Sequence, residues 1–258
     1  MYALYDKDII KFLLIMFRCS GFIMLTPVFG RREFPVQAKV GLAGLLSLII
    51  YPFVPDVALN LDLWDLAVII IREAFVGLSI GYITLLMFSS LYVTGEIIDM
   101  QMGFGIVNVI DPQSNAQVPI IGNFYYILTI LVFLTVNGHH VLISALVKSF
   151  EIVPISGATF GLDFLNIIIS SFREMFLIGF KVSLPVVSII FITDLALGII
   201  ARTVPQMNVF IVGLPVKILV GIVGMVIVLP AYLVVLDVVF SGTYDNILTL
   251  LQGMLKVP

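Results

Sequence analysis

The chain has 258 residues, 61% of them hydrophobic and only 11% charged, with a net charge of −3 and a mean hydropathy of +1.20. Soluble domains carry about 45–50% apolar and about 25% charged residues, so there are too few charges here to cover a soluble surface, and the chain reads as an integral membrane protein. No basic cluster exceeds Arg31-Arg32, which excludes the electrostatic footprint of a nucleic-acid binder, and the single Cys19 excludes an intramolecular disulfide.

A bilayer-spanning helix needs about 20 mostly apolar residues. Residues Ile9 to Phe29 meet this, with Lys11 and Arg18 inside, and read as a retained helix because no basic leader or small-residue cleavage site accompanies them. Gly30 to Pro35 forms a charged turn, and Val36 to Val54 a second helix closed by Pro52 and Pro55. Trp64 to Met102 is too long for a simple span, about 58 Å at 1.5 Å per residue. It carries Arg72-Glu73 near its start and no charge from Ala74 to Gly95. Ile120 to Val136 is a fourth span, interrupted by Asn137-Gly138-His139-His140 and continued by Val141 to Phe150. Pro154, Gly157 and Gly161 mark a connection.

Asp163 to Thr203 is a second overlong helical region, with a kink expected at Pro185. A connector from Thr203 to Asn208 leads into Val209 to Leu236, the last span. From Thr243 to Lys256 the apolar residues Ile247, Leu250, Leu251, Met254 and Leu255 fall on one helical face, so this tail reads as an amphipathic helix for lipid or for a partner. The expected fold is therefore all-α: a membrane-associated chain of about six hydrophobic segments, with long kinked helices and helical hairpins.

The most polar stretch of the apolar middle runs from Glu96 to Pro119. It holds Glu96, Asp99 and Asp111, a Gly103-Phe104-Gly105 step, and the amides Asn108, Gln113, Asn115 and Gln117. Arg72 and Lys148 are consecutive basic residues, so the whole loop lies in a gap without bases. Arg31, Arg32 and Lys39 make the first connection the cytoplasmic candidate. Six crossings then place the central loop in the cytoplasm without a Lys or Arg, which the positive-inside rule does not support. Met100 and Met102 beside it suit either core filling or a compliant seal.

Lys11, Arg18, Arg72, Glu73, Arg173, Glu174, Lys181, Asp194, Lys217 and Asp237 all lie in largely apolar helices. An ionisable group at mid-bilayer costs at least ~2.5–3.5 kcal/mol, so these charges need partners, water or a neighbouring subunit. They suit either an ion or solute path or pairing between subunits or at helix ends. Adjacent Arg and Glu point apart on a helix, so Arg72 and Glu73 each need a separate partner. The echo of Arg72-Glu73-Ala74-Phe75 in Arg173-Glu174-Met175-Phe176 hints at an internal repeat.

Catalytic chemistry has no signature. His139 and His140 lack a Cys or carboxylate at helical spacing, and Gly103-Phe104-Gly105 lacks the downstream Lys-Ser/Thr of a phosphate loop. The expectation is a protein that is not an enzyme and needs no cofactor or metal.

Several short motifs, in order and spacing, resemble the FliR family of flagellar type III export-gate proteins. They are Asp111-Pro112-Gln113-Ser114, then Phe133-Leu134-Thr135-Val136-Asn137-Gly138-His139, then Ser149-Phe150 and Pro154. Arg202-x-x-Pro205-Gln206-x-Asn208-Val209-Phe210 and Gly213-Leu214-Pro215-Val216-Lys217 complete the set. The resemblance covers essentially the whole chain and extends to the virulence-secretion relatives. It implies a subunit that assembles with FliP and FliQ, wrapped by FlhB, in the bacterial inner membrane at the flagellar basal body. It also implies that unfolded flagellar proteins pass through the centre. Residues 1–160 would be FliP-like, and 161–258 a FliQ-like hairpin with the amphipathic tail.

On that resemblance the central loop, residues 103–118, is expected to help close a pore. Gly103, Phe104, Gly105, Ile106, Asn108, Ile110, Asp111, Pro112, Gln113, Asn115 and Gln117 are its gate candidates. Arg72, Glu73, Arg173, Glu174, Lys181, Asp194, Arg202 and Lys217 are the candidates for buried charge and assembly. The alternative is a proton- or solute-coupled secondary transporter, which the embedded charges and the short repeat would suit.

Overall fold

The computed structural model describes residues 2–31, 33–55, 63–105, 119–204, 206 and 208–255. Among them seven α-helices and no strands occur: α1 (Tyr2–Leu25), α2 (Val36–Ile50), α3 (Leu63–Met102), α4 (Ile120–Thr135), α5 (Gly138–Ile152), α6 (Leu162–Thr203) and α7 (Val209–Gly253). A 3₁₀ turn, Tyr51–Phe53, follows α2 where Pro52 ends the helix.

The helix boundaries follow local chemistry. Pro35 and Pro119 stand as extended residues just before α2 and α4, where a missing N–H costs nothing. Between α4 and α5 the chain turns through Asn137 in the left-handed region (φ 57°), which Asn tolerates better than most residues, and the His140 N–H bonds back to the Asn137 carbonyl. His139 and His140 therefore belong to the first turn of α5; the break itself is Val136-Asn137.

Four helical stretches are long and apolar enough to cross a membrane: residues 36–53, 63–102, 162–203 and 211–253. The bent pair α4–α5 passes the same test only when its two helices are taken together. The separate runs expected at Ile120–Val136 and Val141–Phe150 thus form one bent unit, a broken span or a re-entrant loop. α1 is interrupted by Lys11 and Arg18 and is not among these stretches. The three longest helices have 40, 42 and 45 residues, about 60–68 Å at 1.5 Å per residue, twice the ~30 Å hydrocarbon core. α6 is helical throughout, Pro185 included, and α7 contains Pro215 and Pro230.

The chain divides into two compact units. One comprises residues 1–87, 137–172 and 240–258; the other comprises 88–136 and 173–239. Helices α3, α6 and α7 each contribute residues to both.

In the first unit α1 packs on α2 and crosses α3 at close range. A Cβ on Gly77 would run into the Arg18 carbonyl, and one on Gly21 into the Ala74 carbonyl, while one on Gly81 would lie 2.9 Å from the Phe22 carbonyl. Small residues at this spacing let backbones meet where lipid gives helices little reason to associate. The core here is Leu14, Ile15, Phe22, Ile23, Val76 and Ile80, all fully buried. The C-terminal turns of α7 join this unit. Ile247, Leu250, Leu251 and Met254 are fully buried, Gly253 lies against Ile167, and Thr159 donates its N–H and its hydroxyl to the Met254 carbonyl at 2.8 and 2.9 Å. The amphipathic tail is thus the continuation of the last helix, and its apolar face is buried within the chain itself except at Leu255, which is exposed.

In the second unit α3, α4, α6 and α7 interlock. Phe88 meets Phe133 edge to face, Tyr125 meets Tyr232, and Tyr232 shares a 2.8 Å hydrogen bond with Thr129. Gly179 lies against the Ser90 carbonyl, and Thr94 donates to the Gly179 carbonyl at 3.2 Å. Met102 packs on Gly221 and is fully buried, so it fills the core, whereas Met100 is exposed.

Candidate functional site: the base of the central loop and the embedded charges

The central loop leaves α3 at Met102 and re-enters the helical body at Ile120. Its departure is a glycine stop. Gly103 adopts φ 92°, a left-handed conformation that a side chain disfavours, and its N–H reaches the Asp99 and Met100 carbonyls at 3.2 and 3.3 Å. Phe104 donates to the same Asp99 carbonyl at 3.1 Å, which satisfies acceptors the helix end would leave bare.

Its return is set by the same residue. The first turn of α4 has N–H groups without helical partners, and Pro119 supplies no side-chain cap. The Asp99 carboxylate fills that role from across the loop. Oδ2 accepts the Ile121 and Gly122 N–H groups at 2.9 and 3.1 Å, and Oδ1 lies 3.2 Å from the Ile121 nitrogen. Asp99 is 5% exposed. An acid in the last turn of α3 sits at the unfavourable end of its own helix dipole, and the N-terminus of α4 offsets that. The approach is close because α3 and α4 cross at two glycines: a Cβ on Gly95 would collide with the Gly122 backbone. Gly103, Phe104 and Gly105 are half-buried. The other gate candidates, Ile106, Asn108, Ile110, Asp111, Pro112, Gln113, Asn115 and Gln117, lie outside the described residues.

The embedded charges divide into three environments. Glu73 is fully buried and pairs with Arg18, also fully buried, at 2.6 Å. The Arg18 guanidinium further donates to the Ser149 carbonyl (2.9 Å), the Ser149 hydroxyl (3.2 Å) and the Val153 carbonyl (3.0 Å), and lies 4.1 Å from the Phe150 ring centre. The second Glu73 oxygen accepts the Ser156 N–H at 3.0 Å. This cluster ties α1, α3 and the end of α5 together, and Arg72, one residue along, is exposed.

Asp194 and Lys217 pair with each other at 2.6 Å and are partly exposed. Arg173, Glu174, Lys181 and Arg202 lie on the exposed surface. The two Arg-Glu tetrads thus occupy unlike surroundings: Glu73 is enclosed and Glu174 exposed.

Sequence reasoning placed Asp99 in the polar stretch without giving it a task. The available signal was the acid four residues before a helix-stopping glycine, with an uncapped Pro-initiated helix beyond the loop. Among the described residues no group of three or more His, Cys, Asp or Glu could hold a metal ion.

Long apolar helices joined by a buried ion-pair cluster define a polytopic all-α membrane protein. Comparison with known proteins takes this further. Residues 9–243 match the family described as bacterial export proteins, family 1, and the chain belongs to that family. It is 42% identical over 246 residues to the flagellar biosynthetic protein FliR of Bacillus subtilis, covering 93% of this chain and 94% of that protein. The FliR of Escherichia coli is 28% identical over 230 residues, covering 89% and 88% respectively, and that of Aquifex aeolicus 29% over 228 residues, 87% of each.

Proposed function

We propose that this chain is a non-enzymatic subunit of the flagellar type III protein export gate, in the bacterial inner membrane at the flagellar basal body. Its partners in that assembly are FliP and FliQ, with FlhB around them, and unfolded flagellar proteins are the cargo. The observation that carries the reading is similarity along nearly the whole chain to proteins named for flagellar biosynthesis, including one at 42% identity. Residues 1–160 correspond on this reading to a FliP-like part and 161–258 to a FliQ-like hairpin with its tail.

Helix dimensions support a subunit in a larger protein wall. Only 17% of the most apolar window of α6 and 22% of that of α7 is buried within the chain, against 44% for α3. Such helices exceed the hydrocarbon thickness twofold, so lipid alone does not cover them. Arg173, Lys181 and Arg202 on exposed α6 are then contacts to neighbouring subunits, and Arg18–Glu73 and Asp194–Lys217 hold this subunit's own shape.

The central loop, 103–118, acts in this proposal as a base-free stopper at rest. Phe104, Ile106 and Ile110 supply apolar seal. Asn108, Gln113, Asn115 and Gln117 satisfy backbone groups without adding charge to the loop. Cysteine at Phe104 or Gln113 should crosslink to a stalled export substrate, and deletion of residues 111–117 should raise ion leak. No crosslink from a correctly assembled complex, together with an unchanged leak after deletion, would refute the stopper.

A further inference from the structure

We infer that the outward face of α6 docks an apolar helix of another chain carrying two carboxylates, one for Arg173 and one for Lys181. This rests on the reading of the chain as a subunit of a membrane assembly. Within the second unit α6 has one covered side: Met175, Ser183, Val186 and Ile190 are buried at helical spacing. Arg173, Leu177, Lys181 and Leu184 face the other way and are exposed.

Other cations of the chain find their counterpart inside it. Arg18 pairs with Glu73, Lys217 with Asp194 and Lys148 with Glu151, and Lys39 donates to the Gly30 carbonyl. Arg173 and Lys181 have neither an ion pair nor a hydrogen bond among the described residues. Their own helix cannot supply one. Positions 169, 170, 176 and 177 beside Arg173, and 177, 178, 184 and 185 beside Lys181, hold no acid. The neighbouring Glu174 points about 100° around the helix from Arg173. Arg202 differs, because it stands in the last turn of α6, where the helix dipole favours a cation.

Eight residues separate Arg173 from Lys181, about 12 Å along the axis and about 80° around it. A headgroup layer is about 5–8 Å deep. An anionic lipid therefore neutralises one of them and leaves the other among Phe176, Leu177 and Phe180, all exposed. A facing helix with an apolar stripe and two acids at matching spacing satisfies both cations and covers those side chains.

The test uses the full chain co-expressed with its export-apparatus partners. A membrane-permeant carbodiimide forms an amide between a lysine amine and a carboxylate touching it, and itself leaves as the urea. Lys181 is probed as it stands, and position 173 as Arg173→Lys. The expected result is an amide from each position to an acid of another chain, the two acids about seven or eight residues apart on one helix. Lys181→Gln should lose its product. Arg173→Gln with Lys181→Gln should lower recovery of that partner severalfold at unchanged abundance of this chain, and exchanging both partner acids for amides should restore it.

Amides to acids of this chain alone, or none from an intact complex, overturn the inference and leave the subunit reading standing. So does a double variant that keeps its partners but loses co-purifying anionic phospholipid, since that assigns the face to lipid. Amides to a helix with two acids so spaced, in a complex without any export-apparatus subunit, support the docking surface and refute the subunit reading instead.

Discussion

Removing one partner of the Arg18–Glu73 pair should cost far more than removing both. Both side chains are fully buried, and they meet at 2.6 Å. Glu73→Ala leaves the guanidinium enclosed with only neutral acceptors, the Ser149 and Val153 carbonyls and the Ser149 hydroxyl, and the face of Phe150. Breaking a buried pair costs about 3–5 kcal/mol. The neutral acceptors offset part of this, while loss of the Ser156 N–H acceptor adds back about 1 kcal/mol. The expected loss is therefore about 4 kcal/mol, close to a thousandfold in the ratio of folded to unfolded protein at ~1.4 kcal/mol per decade.

Arg18→Met with Glu73→Leu removes both charges and should recover stability to within about 2 kcal/mol of the parent, because buried pairs are replaceable by apolar groups of similar volume. Thermal unfolding in mild detergent, with membrane abundance as the second readout, measures each variant. A Glu73→Ala melt indistinguishable from the parent, or a double variant as unstable as the single one, would refute the reasoning.

Gly77→Ala should destabilise by about 1–3 kcal/mol through overpacking against the Arg18 carbonyl. Gly44→Ala, where nothing lies within 4 Å, should change the melt by no more than about 1 kcal/mol; equal effects at the two sites would sink the close-crossing account. Lys217→Met leaves Asp194 without its 2.6 Å partner in an apolar helix and should cost about 2–3 kcal/mol. A much larger loss, measured by the same melts in the assembled complex, would mean that the pair is covered by a neighbouring subunit.

Certain features were legible without coordinates because they depend on composition and local chemistry. Hydrophobic content fixes the solvent, and the lengths of the apolar runs fix helices longer than a bilayer. Proline punctuation fixes where α2 and α4 begin, whereas α5 begins at Gly138, inside the stretch that reads in sequence as an interruption. The short motifs, in order, were enough to reach the export family, and the comparisons agree.

Other features required the chain to be folded. Periodicity showed that 243–256 was amphipathic, yet the choice between lipid and partner was settled by neither: the apolar face, Leu255 apart, lies in the chain's own core, with Thr159 bonded to Met254. The adjacent Arg72 and Glu73 had to look elsewhere, but only long-range packing selects Arg18, 55 positions away. Asp194 and Lys217 likewise became partners only because α6 and α7 come together.

The residues at the loop base divide in the same way. The amino-acid sequence by itself determined that a base-free loop carrying one acid, Asp111, stands between two apolar helices, and that Gly103 ends the first of them. Tertiary structure alone decided that Asp99 bonds both the residues that leave α3 and those that begin α4. A carboxylate in a helix's last turn has no local partner to reveal its purpose. Its acceptor capacity is met by N–H groups more than 20 positions onward, brought within reach only where the paired glycines let α3 and α4 touch.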